Sequence, residues 1–307
     1  MPLQLGFVSA IFPELSLDAV LAFAAAEGFA CVELMCWPVG AAERKYAGVT
    51  HVDVTSFTPA MADDIRAACE RHGIAISGLG FYPNMLDPDP AVAEPAAAHF
   101  RKLISAAPLL GLDTVNGFVG RDWTQTVDDN WPRFLETWKP LVKHAEDHGV
   151  RIGIENCPML FTRDEWPGGK NLLTTPAIWR RAFADIDSPA FGLNYDPSHF
   201  VIQGMDPLAP LDEFRGKLFH LHAKDVRIDP RRVADVGRFD YPNRWHQPRI
   251  PGFGEIDWGR FMAEVMRVGY DGPVCIEVED DTFGRSLAGR QRALRVARNV
   301  LAPFVPK

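Results

Sequence analysis

The sequence has few cysteines, no long apolar run, no excess of positive charge and no glycine-rich phosphate loop. Each shortage excludes a class of protein. The 307 residues contain five cysteines, an odd number, with neither CxxC nor zinc-like spacing. A disulfide scaffold and a zinc-finger module are therefore excluded, and reduced thiols are expected. No uninterrupted apolar stretch reaches the ~20 residues of a membrane-spanning helix. The opening Met1-Pro2-Leu3-Gln4-Leu5 lacks the basic and apolar segments of a secretory signal, so a cytoplasmic protein is expected. Lys and Arg total 32 against 40 Asp and Glu, a net charge of −8, which opposes nucleic-acid binding. GxGxxG and GxxxxGK patterns are absent.

What is present is alternation. Short runs rich in Val, Ile and Phe predict strands near 3–9, 31–35, 74–80, 114–118, 150–155, 191–196, 218–223 and 274–277. Stretches of helical spacing fill the gaps: 17–27, 60–72, 93–110, 131–148, 175–184, 208–214, 258–268 and 285–301. Gly28, Gly73, Gly111, Gly149 and Gly269 stand where helices end. Eight strand–helix units with no break in composition predict an α/β fold, a single (β/α)8 TIM barrel over residues 1–307. A two-domain doubly wound protein would need a linker, and none is visible. The segments after strands two, three, four, five and seven are long, and in a barrel they gather on one rim, where barrel enzymes keep their chemistry.

Period-two alternation assigns side chains to the barrel axis or to the helices. On the seventh strand, Phe219, Leu221 and Ala223 suit the helices, which sends His220, His222 and Lys224 inward. The same logic turns Glu155, Asp196 and Glu277 inward on strands five, six and eight. Three carboxylates and an imidazole crowded at one rim repel one another unless a cation neutralises them. That hard donor set predicts one divalent metal held by Glu155, Asp196, His222 and Glu277. Mn²⁺ is favoured, with Mg²⁺, Co²⁺ or Zn²⁺ as alternatives.

Other residues carry two readings each. His220 lies one layer deeper and reads as a hydrogen-bonded core residue. Lys224 binds a substrate hydroxyl or balances the carboxylates. Asp225 orients a ligand or caps a turn. Glu33 and Asn116 contact substrate or fill the barrel floor, and Asn156 is a further polar strand-end group. Trp37 and Phe7 wall a sugar face or belong to the core. The arginines of the last helix (Arg285, Arg290, Arg292, Arg295, Arg298) read as a solvated face. Segment 226–250 holds Arg227, Arg231, Arg232, Arg238, Arg244 and Arg249 with Tyr241, Trp245 and His246. It reads as a cationic lid with Arg227 at the substrate, or as a solvated or intersubunit loop.

Glu155 in IENCP, Asp196 and His199 in NYDPSH, His222 in HAKD, the segment PGFGEIDW and Glu277 in CIEVED together resemble the xylose-isomerase-like TIM barrels. Sugar phosphate isomerases and epimerases, ketose 3-epimerases, inosose-handling enzymes and, more distantly, endonuclease IV belong to that family. The resemblance spans the chain and is most specific from Val150 to Asp281. It implies that Glu155, Asp196, His222 and Glu277 hold the metal and that His199 contacts substrate. It implies a sugar isomerase or epimerase acting through a metal-stabilised enediolate, with Glu155, Glu277 and His199 catalytic. Arg227, Lys224, Glu33 and Asn116 would bind substrate. Two bases on opposite faces epimerise, one base on one face isomerises, and protonation of a leaving hydroxyl or glycosidic oxygen gives a dehydratase or other β-eliminating lyase of a keto-sugar, keto-glycoside or inosose. The second acidic residue that ketose 3-epimerases carry after the strand-five glutamate is missing from Cys157–Phe161. A nuclease of the endonuclease IV type would need early-strand histidines absent here. A non-catalytic sugar-binding barrel would not need three inward carboxylates. The expected partners are a small carbohydrate and a second copy of the chain, without nucleic acid or membrane.

Overall fold

Each strand is a short, nearly continuous apolar run, the composition of a parallel strand covered on both faces. In the computed structural model, which describes residues 3–40, 47–159, 169–238, 240 and 244–305, these runs close into a barrel. The barrel strands are β1 (Gln4–Val8), β2 (Cys31–Met35), β3 (Ala75–Gly80), β4 (Thr114–Gly117), β5 (Arg151–Glu155), β6 (Phe191–Tyr195), β7 (Leu218–Ala223) and β10 (Pro273–Ile276). All neighbouring pairs are parallel, in the order β1-β10-β7-β6-β5-β4-β3-β2. The α/β reading as a (β/α)8 TIM barrel is thus the architecture observed.

Helices α1 (Leu17–Ala26), α2 (Pro59–His72), α3 (Pro90–Ala106), α4 (Val127–Asp147), α5 (Pro176–Asp185), α9 (Trp258–Arg267) and α10 (Leu287–Leu301) follow strands. Ser16, Thr58, Asp89, Thr126, Asp257 and Ser286 accept first-turn N–H groups, each cap worth about 1 kcal/mol. These caps move three boundaries. The third and fourth helices begin at Pro90 and Val127, earlier than the periodicity predicts. The last begins after its Ser286 cap, which leaves Arg285 outside it. The third helix also closes at Ala106. Pro108 has no N–H to continue the ladder, and Ala107–Leu110 tightens into a 3₁₀ turn.

Two register shifts alter the alternation. Between Val32 and Glu33 the β2–β3 ladder skips Ser77, and between Leu193 and Asn194 the β6–β7 ladder skips Phe219. Phe219 therefore does not face the helices as predicted. It carries the Arg151 guanidinium 5.1 Å above its ring, and a Cβ on Gly192 would meet it at 2.5 Å. Leu221 and Ala223 do join the helix-side core. Phe7 is core as well, wholly buried and packed edge-on against Phe12, Phe23 and Phe29. On α10, Arg290 pairs with Glu14, Arg295 with Glu27 at 2.7 Å, and Arg298 donates to the Gly28 carbonyl. This helix face is fastened to the first strand–helix unit.

Segment 226–250 is more ordered than a plain loop. Strands β8 (Asp225–Ile228) and β9 (His246–Arg249) form an antiparallel hairpin around helix α8 (Pro230–Val236); Tyr241 lies outside the described residues. A further short helix, α6 (Ser198–Gln203), follows β6, and α7 (Ala209–Glu213) precedes β7. Buried Asp225 clamps the hairpin. Its oxygens accept from Val226, Gly252 and Ile256 N–H and from the Trp258 indole at 2.9–3.2 Å. A Cβ on Gly254 would lie 2.2 Å from Asp225 Oδ1, which accounts for the second glycine of PGFG. Asp225→Ala strands four donors. We expect a loss of about 2–6 kcal/mol in urea unfolding, at ~0.5–1.5 kcal/mol per net hydrogen bond. An unchanged midpoint would contradict the clamp.

Candidate metal centre

The C-terminal ends of β5, β6, β7 and β10 are adjacent in the barrel, and their inward residues converge. Ligating atoms of Glu155, Asp196, His222 and Glu277 all lie within 4.8 Å of one another. His222 Nδ1 is 3.7 Å from both Glu155 Oε2 and Glu277 Oε2. Asp196 is wholly buried, and Glu155 and His222 nearly so. Asp196 Oδ2 and His222 Nδ1 have no hydrogen-bond partner. Buried polar atoms are rarely left this way. Asp196 Oδ2 is met by ion-pair contacts from Lys224 and His199, at 3.2 and 3.3 Å, and the oxygen-rich set is one that suits a hard divalent cation.

Lys224 enters the same space. Its Nζ is 2.7 Å from Glu277 Oε2, 3.2 Å from Asp196 Oδ2, 3.3 Å from Glu279 Oε2 and 4.0 Å from Glu155 Oε1. Burial opposes its charge, but Asp196, Glu277 and Glu279 hold the ammonium well above its ordinary pKa. Burial likewise opposes ionisation of Asp196, and Lys224 and His199 pull it below the usual aspartate value. His199, the second residue of α6, sets Nε2 3.1 Å from Glu155 Oε1 and 3.3 Å from Asp196 Oδ2. Burial lowers its pKa, but Cys157 and Asp196 outweigh this and leave it well above the normal histidine range.

A second polar layer lies beneath. Glu33 Oε2 accepts from His222 Nε2 at 2.7 Å, and its Oε1 accepts from Tyr82 and from Asn116 Nδ2. The donation from Nε2 orients the ring so that Nδ1 faces the carboxylates. Burial resists both charges, but the pair overrides it. Glu33 falls to about 2 and His222 rises to about 10. A Cβ on Gly80 would strike Met35 and Glu33 within 2.7 Å, so strand three ends small to admit this layer. His220 is the buried structural residue expected, donating to Asn194 Oδ1 and accepting from Ser77. Asn156 spends both amide atoms on the Asp196 backbone, at 2.8 and 2.9 Å, and so sets the approach of Asp196.

A cavity of about 860 Å³ opens over the cluster, lined by Glu155, His199, Lys224 and Glu277 and by Trp37 at its mouth. Three expected substrate contacts fall outside that lining. Glu33 and Asn116 are wholly buried below it. Arg227 is exposed on the hairpin and lies outside the lining. Arg249, paired in register with Asp225, turns toward the cavity instead and ion-pairs with Asp280 at 3.2 Å. The sequence reading also passed over Glu279, Cys157 and Tyr82. Each stands two residues beyond an inward position (Glu277, Glu155, Gly80), and that spacing was the available signal.

The buried histidines give metal-free stability a maximum in pH. His51, His99 and His246 are held below the ordinary value of about 6.5 by burial, His246 to about 4. As pH falls from 6.5 to 4 the unfolded chain takes up protons that the folded one refuses, so stability falls. His222 acts oppositely. Its contribution is complete below 6.5 and is lost as pH rises toward 10. The Glu33 contribution is present above about 4.5 and is lost as pH falls toward 2. Urea midpoints of chelator-treated protein should peak near pH 6.5 and decline on both sides. A midpoint that keeps rising from pH 6.5 to 9 contradicts this.

Comparison with known proteins adds a family. A family model described as xylose isomerase-like TIM barrel matches residues 21–301. The chain is 29% identical over 252 residues to an uncharacterized Bacillus subtilis protein, YfiH, covering 70% of this chain and 75% of that one. It is 27% identical over 159 residues to the inosose dehydratase of Lacticaseibacillus casei, covering 50% of this chain and 49% of that one. The chain thus spans about half the length of that dehydratase. Among solved structures, an IolI protein with a binding zinc atom superposes with TM-score 0.71 at 18% identity, covering 99% of this chain and 100% of that one. A D-psicose 3-epimerase from Clostridium cellulolyticum H10 gives 0.68 at 18%, with the same coverage. Among the described residues no helix is long and apolar enough to cross a membrane.

Proposed function

This chain belongs to the xylose isomerase-like TIM barrel family, and from that premise we propose a divalent-metal-dependent isomerase or epimerase of a keto- or aldo-sugar or polyol. The observation that carries the reading is the convergence of Glu155, Asp196, His222 and Glu277 within 4.8 Å, with Asp196 Oδ2 and His222 Nδ1 free of hydrogen bonds. These four residues would hold the ion, Mn²⁺ by their hard donor set, with Mg²⁺, Co²⁺ or Zn²⁺ as alternatives. A bound divalent cation supplies Lewis acidity to a carbonyl and its neighbouring hydroxyl.

The chain's own groups would do the proton work. Glu155 and Glu277 stand on the flanking strands β5 and β10, with Asp196 and His222 between them in the barrel order. They therefore approach a substrate carbon from two sides, one removing and one returning its proton. Lys224, released from the carboxylates when a metal takes over their charge, would donate to a substrate oxygen. Glu33 and Asn116 would not touch substrate; they position His222. The carbohydrates named for the epimerase and the dehydratase support the substrate class.

A second reading is β-elimination of water by the same site. Two observations favour it: the likeness to an inosose dehydratase, and His199 Nε2 held 3.1 Å from Glu155 Oε1, where an acid beside the base protonates a leaving hydroxyl. One experiment separates the two. The protein is stripped with chelator, reloaded singly with Mn²⁺, Mg²⁺, Co²⁺ or Zn²⁺, and incubated with ketoses and inososes in deuterated water. Deuterium at carbon without loss of water is the expected result. Loss of water assigns the lyase. No exchange with any metal or substrate overturns both.

A further inference from the structure

The cavity is too large for the sugar ring alone. A hexose displaces roughly 180 Å³, taking about six waters at ~30 Å³ each. The cavity measures about 860 Å³, near the top of the ~300–1,000 Å³ range of pockets that enclose drug-sized ligands. Its two ends differ in chemistry. The carboxylates, His199 and Lys224 occupy the late-strand end. Val8, Ala10, Met35, Trp37 and Phe118 line the other, with Ile202 of α6 also in the lining. Val8, Met35 and Phe118 belong to an apolar cluster separate from the main core, and Ala10 and Trp37 pack on it. An apolar surface left facing a cavity, outside the main core, suits an apolar partner.

The mouth argues against an anionic appendage. Arg227 lies outside the lining, and Arg249 is neutralised by Asp280. Among the described lining residues, Lys224, Arg249 and Arg285 face six carboxylates, those of Glu155, Asp225, Glu277, Glu279, Asp280 and Asp281. A phosphate there would meet carboxylates.

We infer that the substrate is a two-part carbohydrate, a keto-glycoside whose carbonyl-bearing sugar ring sits at the carboxylate cluster and whose uncharged, apolar aglycone lies along the Val8–Met35–Trp37–Phe118 wall. This rests on the function proposed above, and its test keeps the two apart. Mn²⁺-loaded protein is titrated calorimetrically with phenyl β-D-glucopyranoside, D-glucose and D-glucose 6-phosphate, after a separate titration with Mn²⁺ alone. The phenyl glucoside should bind at least about tenfold more tightly than glucose, and the phosphate no more tightly than glucose. Trp37→Ala should abolish the phenyl preference and leave the Mn²⁺ titration unchanged. Absence of Mn²⁺ binding defeats the metal reading. Normal Mn²⁺ binding with equal affinities, with tighter phosphate binding, or with no phenyl glucoside binding at millimolar concentration overturns the glycoside inference.

Discussion

Glu155→Gln and Glu277→Gln should each depress metal-dependent proton exchange at substrate carbon by about 10²–10⁴-fold, the usual contribution of a positioned acid–base group. An amide of the same shape preserves packing but neither accepts a proton nor supplies charge to a cation. Both residues bound one cluster, so each change also removes one of its three carboxylates. The stability of the metal-free protein should fall, because Lys224 loses a carboxylate partner with Glu277 and His199 loses one with Glu155. Deuterium incorporation followed by mass spectrometry, beside thermal unfolding, checks both parts. Exchange at the wild-type rate in either variant would refute the assignment of two bases.

The next largest effect is expected one layer below, at Glu33. It receives three donors, His222 Nε2, Tyr82 OH and Asn116 Nδ2, in a place without water access. Glu33→Leu takes the carboxylate acceptor away from all three. At ~1–3 kcal/mol for each buried donor stranded, and about 3–5 kcal/mol for breaking a buried ion pair, we expect roughly 3–5 kcal/mol lost in urea unfolding. Glu33→Gln keeps an acceptor and the shape, so most of the fold survives. Its expected signature is a metal affinity about 10–100-fold weaker, the usual cost of losing the group that orients a ligating histidine. A Gln variant that binds Mn²⁺ like wild type would show that Glu33 does not position His222.

Much of this architecture is legible in the sequence because two simple periods govern it. Period two along Ile152–Glu155 and Leu221–Lys224 brings Glu155 and His222 to the axis, and a glycine or a cap closes most helices where expected. The failures are equally physical. Phe219 faces inward because a register shift adds one residue to β7, and a ladder irregularity leaves no mark in the order of apolar residues. The hairpin was hidden because Asp225–Ile228 and His246–Arg249 carry charge and a proline instead of an apolar run. That hidden turn also explains the preference for Arg227. It is near the cluster in sequence, but its side chain is exposed outside the cavity, and Arg249, 22 positions later, lines it. The placement of Glu33 was open in the sequence because a carboxylate at a strand end looks the same whether it meets substrate or a histidine. Depth along the barrel, set by the neighbours Tyr82, Asn116 and Gly80, separates the two.

The most direct test is an anomalous-difference map from a crystal soaked in Mn²⁺. One strong peak bonded to Glu155, Asp196, His222 and Glu277, with the Lys224 ammonium moved out from among them, is the result this account predicts. A map featureless at that position, with the Lys224 ammonium still against Asp196 and Glu277, would contradict it.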